Sequence, residues 1–267
     1  MKVHYLNCGT MYPRFAPIFA PHLSRVPSLC MLIEAPRGLV LVDAGFGTRD
    51  MANLHRLGLA NLLLNAQADP LIPALRQVER LGFKGSDVTD IICTHLDRDH
   101  AGGLPDFPDA RVHVMRVERD AASHPQTFME RERYRKCHFE HGPKWVTYEE
   151  ATAERWYGME CIRDVPGLPP EIVLVPLHGH TRGHCGVAVD TGKGWVLHCG
   201  DAYYIKRELA KAPVDVRGFR HMAHLNHAKA MGVVRQIRDA VQASDGAVTT
   251  IAAHDRSEYQ RLFGRDL

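Results

Sequence analysis

Apolar positions along this chain fall in short runs, each broken by glycine, proline or a charged residue, a pattern that predicts many brief strands and few helices. Residues 3–6 and the run Leu29-Cys30-Met31-Leu32-Ile33-Glu34 read as strands, separated by a proline-punctuated loop from Pro13 to Pro27. A connection that long inside a compact domain points to a substrate-lining or partner-facing role. Gly38-Leu39-Val40-Leu41-Val42-Asp43-Ala44-Gly45 reads as a buried strand entering a turn. Residues Asp50 to Asn65 have weak helical character. Pro70 to Leu81 predicts a helix, with proline near its start, apolar residues at helical spacing and Gly82 as its stop. Asp87 to His95 and Arg111 to Met115 predict two more strands.

Between Arg116 and about Asp164 the pattern changes: arginine and lysine are dense, aromatic residues are interleaved and no clean strand is visible. Exposed amphipathic helices would explain it, and so would a helical cap that sets substrate choice; the second reading is favoured because a compact core does not need the insert. Glu171 to Leu177 resumes the strand pattern, followed by Gly186 to Val189 and Trp195 to Cys199 around a Thr191-Gly192-Lys193-Gly194 turn. Ala223 to Val241 predicts a helix, Ala247 to Ala252 a last strand, and His254-Asp255 the start of a terminal helix. Such an order suggests two sheets packed face to face with helices outside, in one domain over residues 1–267.

A chain of 267 residues with 45% hydrophobic and 24% charged content can bury a sizeable core, as soluble proteins do. Its formal net charge of +2 makes no case for nucleic acid or a membrane surface. Basic and aromatic residues alternate in the 116–164 segment, but Glu130, Glu132, Glu140 and Glu149 among them oppose a nucleic-acid reading. The N-terminal sequence lacks the pattern of a signal peptide, and no apolar run approaches the ~20 residues of a spanning helix. Seven cysteines, an odd number without a Cys-x-x-Cys pair, fit a reducing compartment, so a cytoplasmic protein is expected. Cys93, Cys185 and Cys199 lie in apolar runs and read as small buried hydrophobes; thiolate ligation by Cys93 or Cys199 is the weaker alternative.

The chemistry concentrates where the strand Asp87–His95 ends. In Thr94-His95-Leu96-Asp97-Arg98-Asp99-His100-Ala101-Gly102-Gly103, four potential metal ligands (His95, Asp97, Asp99 and His100) fall within six positions. A polar turn would carry the same letters. Placement between an apolar strand and a glycine pair favours a bound cation, which removes the cost of burying such groups empty. His180, Asp201 and His254 likewise follow predicted strands.

This segment resembles the His-x-His-x-Asp-His signature of the metallo-β-lactamase superfamily, with Asp97 where the second histidine usually stands. The similarity extends along most of the chain. Asp43-Ala44-Gly45 resembles the Asp-x-Gly element that buttresses the metals, although Asp43 alone would serve as a turn cap. Gly179-His180-Thr181-Arg182-Gly183-His184 resembles Gly-His-Thr-Pro-Gly-His with Arg182 for proline, and Gly200-Asp201 and Ala253-His254-Asp255 complete the order. The resemblance implies an αββα sandwich of mixed sheets and two divalent ions. His95, Asp97 and His180 would hold one, Asp99, His100 and His254 the other, and Asp201 would bridge them. His184 is expected to act structurally.

Zinc is the expected metal; the Asp97 carboxylate admits iron or manganese, and being shorter than histidine it can also fail to reach, leaving one ion. A shared hydroxide would attack a carbonyl, with Asp99 ligating and shuttling the proton. Tyr204, three residues after Asp201, matches the spacing of the tyrosine that steadies the carbonyl oxygen in N-acyl homoserine lactonases; packing of Tyr203 or Tyr204 under the cap is the alternative. A lactonase-like hydrolase acting on a small-molecule lactone or ester is the leading expectation, with a homodimer suggested by family habit. Phosphodiester, phosphonate or thioester hydrolysis, with Arg98 and Arg182 meeting an anion, is a second. Mononuclear iron-dependent oxygenation of a sulfur compound is a third, and a non-catalytic binding protein a fourth.

Overall fold

The computed structural model describes residues 1–149, 154–210 and 216–267. Six strands make the first sheet in sequence order: β1 (Lys2–Met11), β2 (Val26–Ala35), β3 (Gly38–Val42), β4 (Val88–Ile92), β5 (Arg111–Met115) and β6 (Lys144–Tyr148). The first three pair antiparallel and β3 to β6 pair parallel. A small hairpin, β7 (Arg155–Trp156) and β8 (Met159–Glu160), leads to the second sheet. Its strands, β9 (Ile172–Pro176), β10 (Cys185–Asp190), β11 (Trp195–His198) and β12 (Val248–Ile251), lie in the order β12-β11-β10-β9.

The helices are α1 (Ala16–Phe19), α2 (Thr48–Ala52), α3 (Asn61–Leu64), α4 (Ala74–Arg80), α5 (Arg98–Ala101), α6 (Arg116–Ser123), α7 (Phe128–Arg133), α8 (Arg217–Ala223), α9 (His227–Ala243) and α10 (Arg256–Phe263).

Alternation along the strands sorts side chains into three packed layers. Met31, Ile33, Val40, Val42 and Ile92 of the first sheet meet Ile172, Leu174, Val187 and Val189 of the second between the sheets. Leu32, Leu41, Ile91 and Val112 face outward onto Val78 of α4 and Ala121 of α6. Val173, Val175, Ala188 and Leu197 face the other way onto Val233, Val234 and Ile237 of α9. Because both faces of the central strands are covered, β2 and β3 read as continuous apolar runs. The architecture is the αββα sandwich expected from the sequence.

Three local expectations need correction. The 116–164 segment is not wholly helical: α6 and α7 give way to β6, which extends the first sheet beside β5. It hides in the sequence because Trp145, Val146 and Thr147 are all half-buried at the sheet edge, so no apolar–polar alternation marks the strand. Residues 150–153 of that segment lie outside the described residues. The helix expected from Ala223 to Val241 is α9 and starts later: α8 ends at Ala223, His224 is extended, and Asn226 starts α9 by accepting a hydrogen bond from the Lys229 N–H. The Pro13–Pro27 loop is structured, holding α1 and a 3-10 turn at Pro21–Leu23 before β2 begins at Val26.

Candidate metal centre

Every predicted ligand sits just beyond a strand, and the sandwich brings those strand ends to one edge. The backbone of β3 ends at Asp43, held at φ 56°, a left-handed conformation that aspartate tolerates better than most residues. That conformation turns its carboxylate back onto the β4 loop. Oδ1 accepts from the Thr94 N–H at 2.7 Å, and Oδ2 accepts from the Thr94 hydroxyl and from His100 Nδ1–H, each at 2.8 Å. Burial by itself would raise the Asp43 carboxyl, but the neighbouring His100, with His198 and His95, outweighs it and holds the group below its ordinary value. Asp43 therefore orients the His100 imidazole and the Thr94 loop.

The tautomers follow from this wiring. Thr94 spends its one hydroxyl proton on Asp43, so it accepts from His95 Nδ1–H at 3.0 Å and leaves His95 Nε2 as a lone pair with no hydrogen-bond partner among the described residues. His254 Nδ1–H donates to the Pro27 carbonyl at 2.6 Å, and the Ser28 hydroxyl donates to the Asp99 carbonyl at 2.6 Å. His184 Nδ1–H donates to Leu177 O at 2.9 Å, and its Nε2 accepts from the Asp201 N–H at 3.0 Å, so His184 positions Asp201. Gly200 stands at φ +51°, and a Cβ there would lie 2.5 Å from His184 Nε2. Only glycine lets the Asp201 loop approach that closely.

The inward atoms converge. His254 Nε2 lies 3.3 Å from Asp99 Oδ2 and 3.2 Å from Asp201 Oδ2, while His100 Nε2 lies 3.2 Å from Asp201 Oδ1. Across the cluster, Asp97 Oδ2 is 3.6 Å from His95 Nε2 and 3.2 Å from His180 Nε2, and His180 Nε2 is 3.5 Å from Asp201 Oδ2. Such separations suit atoms sharing an ion at about 2.0–2.2 Å. Among the described residues three groups could hold a cation: His95, Asp97 and His180; His95, His100 and Asp201; and Asp99, His100 and His254. All seven proposed ligands are buried. Cys93 and Cys199 belong to none of these groups among the described residues, and burial pushes both thiols well up. All seven cysteines are free.

Tyr204 and Tyr203 part company. The Tyr203 hydroxyl donates to Thr250 Oγ1 at 3.0 Å on the far side of the sheet. Tyr204 Oη lies 3.1 Å from His180 Nδ1, and its ring lies parallel to that of His254 at 6.1 Å. Burial, then the Asp201 charge, pushes the Tyr204 phenol well above its usual value and keeps it a donor.

Four residues at the site were not singled out from the sequence. Arg133, at the end of α7, donates from Nη1 to Asp97 Oδ2 at 2.5 Å and approaches His180 Nε2 at 3.0 Å; its Nη2 donates to the Ala223 carbonyl. His224 places Nδ1 3.3 Å from His180 Nδ1, and burial followed by the His180 charge draws its pKa down to about 2. Glu118 ties two ligand loops together, accepting from the Leu96 N–H at 3.1 Å and the Gly183 N–H at 2.9 Å. Tyr134 donates to the same carboxylate at 3.2 Å. The one available signal was the basic, aromatic run Arg133-Tyr134-Arg135.

Arg98 and Arg182 do not meet an anion at the centre. Arg98 donates to the Leu57 and Glu132 carbonyls, and Arg182 Nε donates to Glu130 Oε1 at 2.6 Å. Glu130 in turn closes a capping box with Thr127 at the start of α7. Both arginines thus anchor the helix that carries Arg133.

Residues 23–243 match the model of the metallo-beta-lactamase superfamily, and the chain belongs to that family of metallo-hydrolases. A probable metallo-hydrolase of Mycobacterium tuberculosis is 38% identical over 265 residues, covering 97% of this chain and 82% of that protein. An N-acyl homoserine lactonase of Bacillus thuringiensis is 29% identical over 193 residues, 69% of this chain and 67% of that protein. Among solved structures, an N-acyl homoserine lactone hydrolase with N-hexanoyl-L-homoserine at its catalytic metal centre superposes with a TM-score of 0.74 at 21% identity, covering 100% of this chain and 98% of that one. A dizinc quorum-quenching lactonase superposes at 0.61 with 16% identity, covering 94% and 86%. Among the described residues no helix is long and apolar enough to cross a membrane.

Proposed function

We propose that this chain is a metal-dependent hydrolase that opens a lactone or cleaves a related ester of a small molecule. The observation that carries the reading is the convergence of buried donors at one edge: His254 Nε2 lies 3.3 Å from Asp99 Oδ2 and 3.2 Å from Asp201 Oδ2, and His100 Nε2 lies 3.2 Å from Asp201 Oδ1. A divalent ion held by these residues would lower the pKa of a bound water to about 7 and polarise a carbonyl. Zinc suits the imidazoles; the extra carboxylate of Asp97 widens the choice to iron or manganese.

The chain's own groups supply the rest. Asp99 sits where it can ligate and accept a proton from the attacking water. Tyr204, kept protonated by its surroundings, can turn its hydroxyl from His180 to an acyl oxygen that gains charge. His184 and Asp43 hold Asp201 and His100 in place.

The lactone reading rests on the tyrosine beside the ligands and on similarity to lactonases over most of the chain. The anion-centred phosphodiester alternative loses its two arginines to α7. The test is a pH-stat assay over short- and long-chain lactones with the protein loaded with zinc, manganese or iron. Acid release on at least one lactone is expected. No release with any metal, alongside turnover of a chromogenic phosphodiester, would replace the reading.

A further inference from the structure

Arg133 stands where family resemblance asks for a metal. Its guanidinium nitrogen Nη1 is 2.5 Å from Asp97 Oδ2 and 3.0 Å from His180 Nε2, two of the three donors of the His95–Asp97–His180 group. A carboxylate oxygen has lone pairs for both a guanidinium and an ion. An imidazole nitrogen has one, and His180 Nε2 spends it on whichever arrives. An ion bound to that nitrogen would lie along the lone pair now pointed at Nη1, far inside contact distance of a second positive charge. The first site and the Arg133 contact therefore exclude each other.

Arg133 is not a loose surface chain that drifted in. Its side chain is 11% exposed, and Nη2 is tied to the Ala223 carbonyl. The helix beneath it is pinned at its start by the Glu130–Thr127 box and Arg182, and at its end by Tyr134 on Glu118. Among the described residues the other end of the cluster has no such rival: Asp99, His100, His254 and Asp201 face each other with their imidazoles oriented from behind.

We propose that Arg133 takes the place of the first cation, so that the chain holds one divalent ion, among Asp99, His100, His254 and Asp201, and a guanidinium supplies the positive charge at the other pole. The exchange of histidine for Asp97 and the arrival of Arg133 are then one change: a carboxylate that recruits a guanidinium in place of a metal. This rests on the metal-dependent reading above and deepens it.

The test is metal content by plasma mass spectrometry, on protein purified without added metal and after titration with zinc and with manganese. One ion per chain is expected. Two ions in the unaltered protein would overturn this inference and leave the hydrolase reading standing; none under any loading would overturn both. His180→Ala is expected to keep its ion, whereas His254→Ala is expected to bind it at least tenfold more weakly. Loss of an ion in both variants equally would contradict the inference. Arg133→Ala removes the guanidinium from His180 and is expected to raise the count toward two. A count that stays at one in that variant, with circular dichroism showing a folded chain, would show that Arg133 is not what keeps the second ion out.

Discussion

At one end of the donor cluster each imidazole is locked from behind: His100 donates to Asp43 at 2.8 Å and His254 to Pro27 O at 2.6 Å. At the other end His180 is flanked by His224 and Tyr204 on one nitrogen and by Arg133 on the other. Burial, then the Arg133 charge, draws His180 down to a pKa of about 4, so it stays neutral near pH 7. On the proposal above, the difference is that one pole is preorganised for a cation while the other is given to a side chain. Orientation from the far nitrogen prepares an imidazole for metal. A positive group on the near nitrogen competes with it.

Substitutions at the locked end are expected to have the largest consequences. Asp201→Ala removes the carboxylate that faces His100, His180 and His254, and is expected to lose the ion and lower kcat/KM by about a thousandfold or more, read by metal content and lactone turnover. Unchanged metal content would separate Asp201 from the ligands. Next comes Asp43→Ala, which leaves every ligand in place but frees His100 and Thr94; a loss of about 10–100-fold in metal affinity is expected by competition with a chelator. No change would mean that burial alone orients His100.

Tyr204→Phe sharpens the comparison at the arginine end. It is expected to keep the metal count and slow kcat by about tenfold, less than the 10²–10³ of a dedicated oxyanion donor because its proton is shared with His180. Loss of metal in that variant would assign Tyr204 to holding His180 instead.

The smallest effect lies away from the cluster. Glu258 is buried against Ala252 N–H and Tyr203 Oη, and burial, then the Asp255 charge, lifts its carboxyl from 4.5 to about 7. The folded chain thus keeps a proton that the unfolded chain releases, so this group's contribution is complete below about pH 4.5 and is lost as pH rises through 7. The loss is about 3 kcal/mol at most. Glu258→Gln mimics the protonated acid and is expected to flatten Tm between pH 5 and pH 8. A profile that keeps its slope would place the titration elsewhere.

The sandwich was legible because short apolar runs broken by glycine, proline or charge are a local signal: the strands that hold Val42, Ile92 and Ile172 are read from their neighbours in sequence. The grouping of the seven candidate residues was legible because each follows such a strand, so the sheets that bury the apolar runs also deliver the polar residues to one edge. Arg133 was not. It lies in a charged, aromatic stretch whose helix looks solvated from its letters, and its partner Asp97 is 36 positions away. Arg98 and Arg182 misled for the same reason. A charge next to a ligand in sequence need not face it, and both reach backbone or Glu130 instead. β6 escaped because an edge strand with one half-buried face carries a weak alternation.

The central claim, a cation at one pole and a guanidinium at the other, is met most directly by anomalous diffraction at the metal absorption edge from crystals of the zinc- or manganese-loaded protein. A single peak is expected among Asp99, His100, His254 and Asp201, with Arg133 still on Asp97 and His180. A second peak between His95, Asp97 and His180 with Arg133 swung away, or no peak at all, would contradict it.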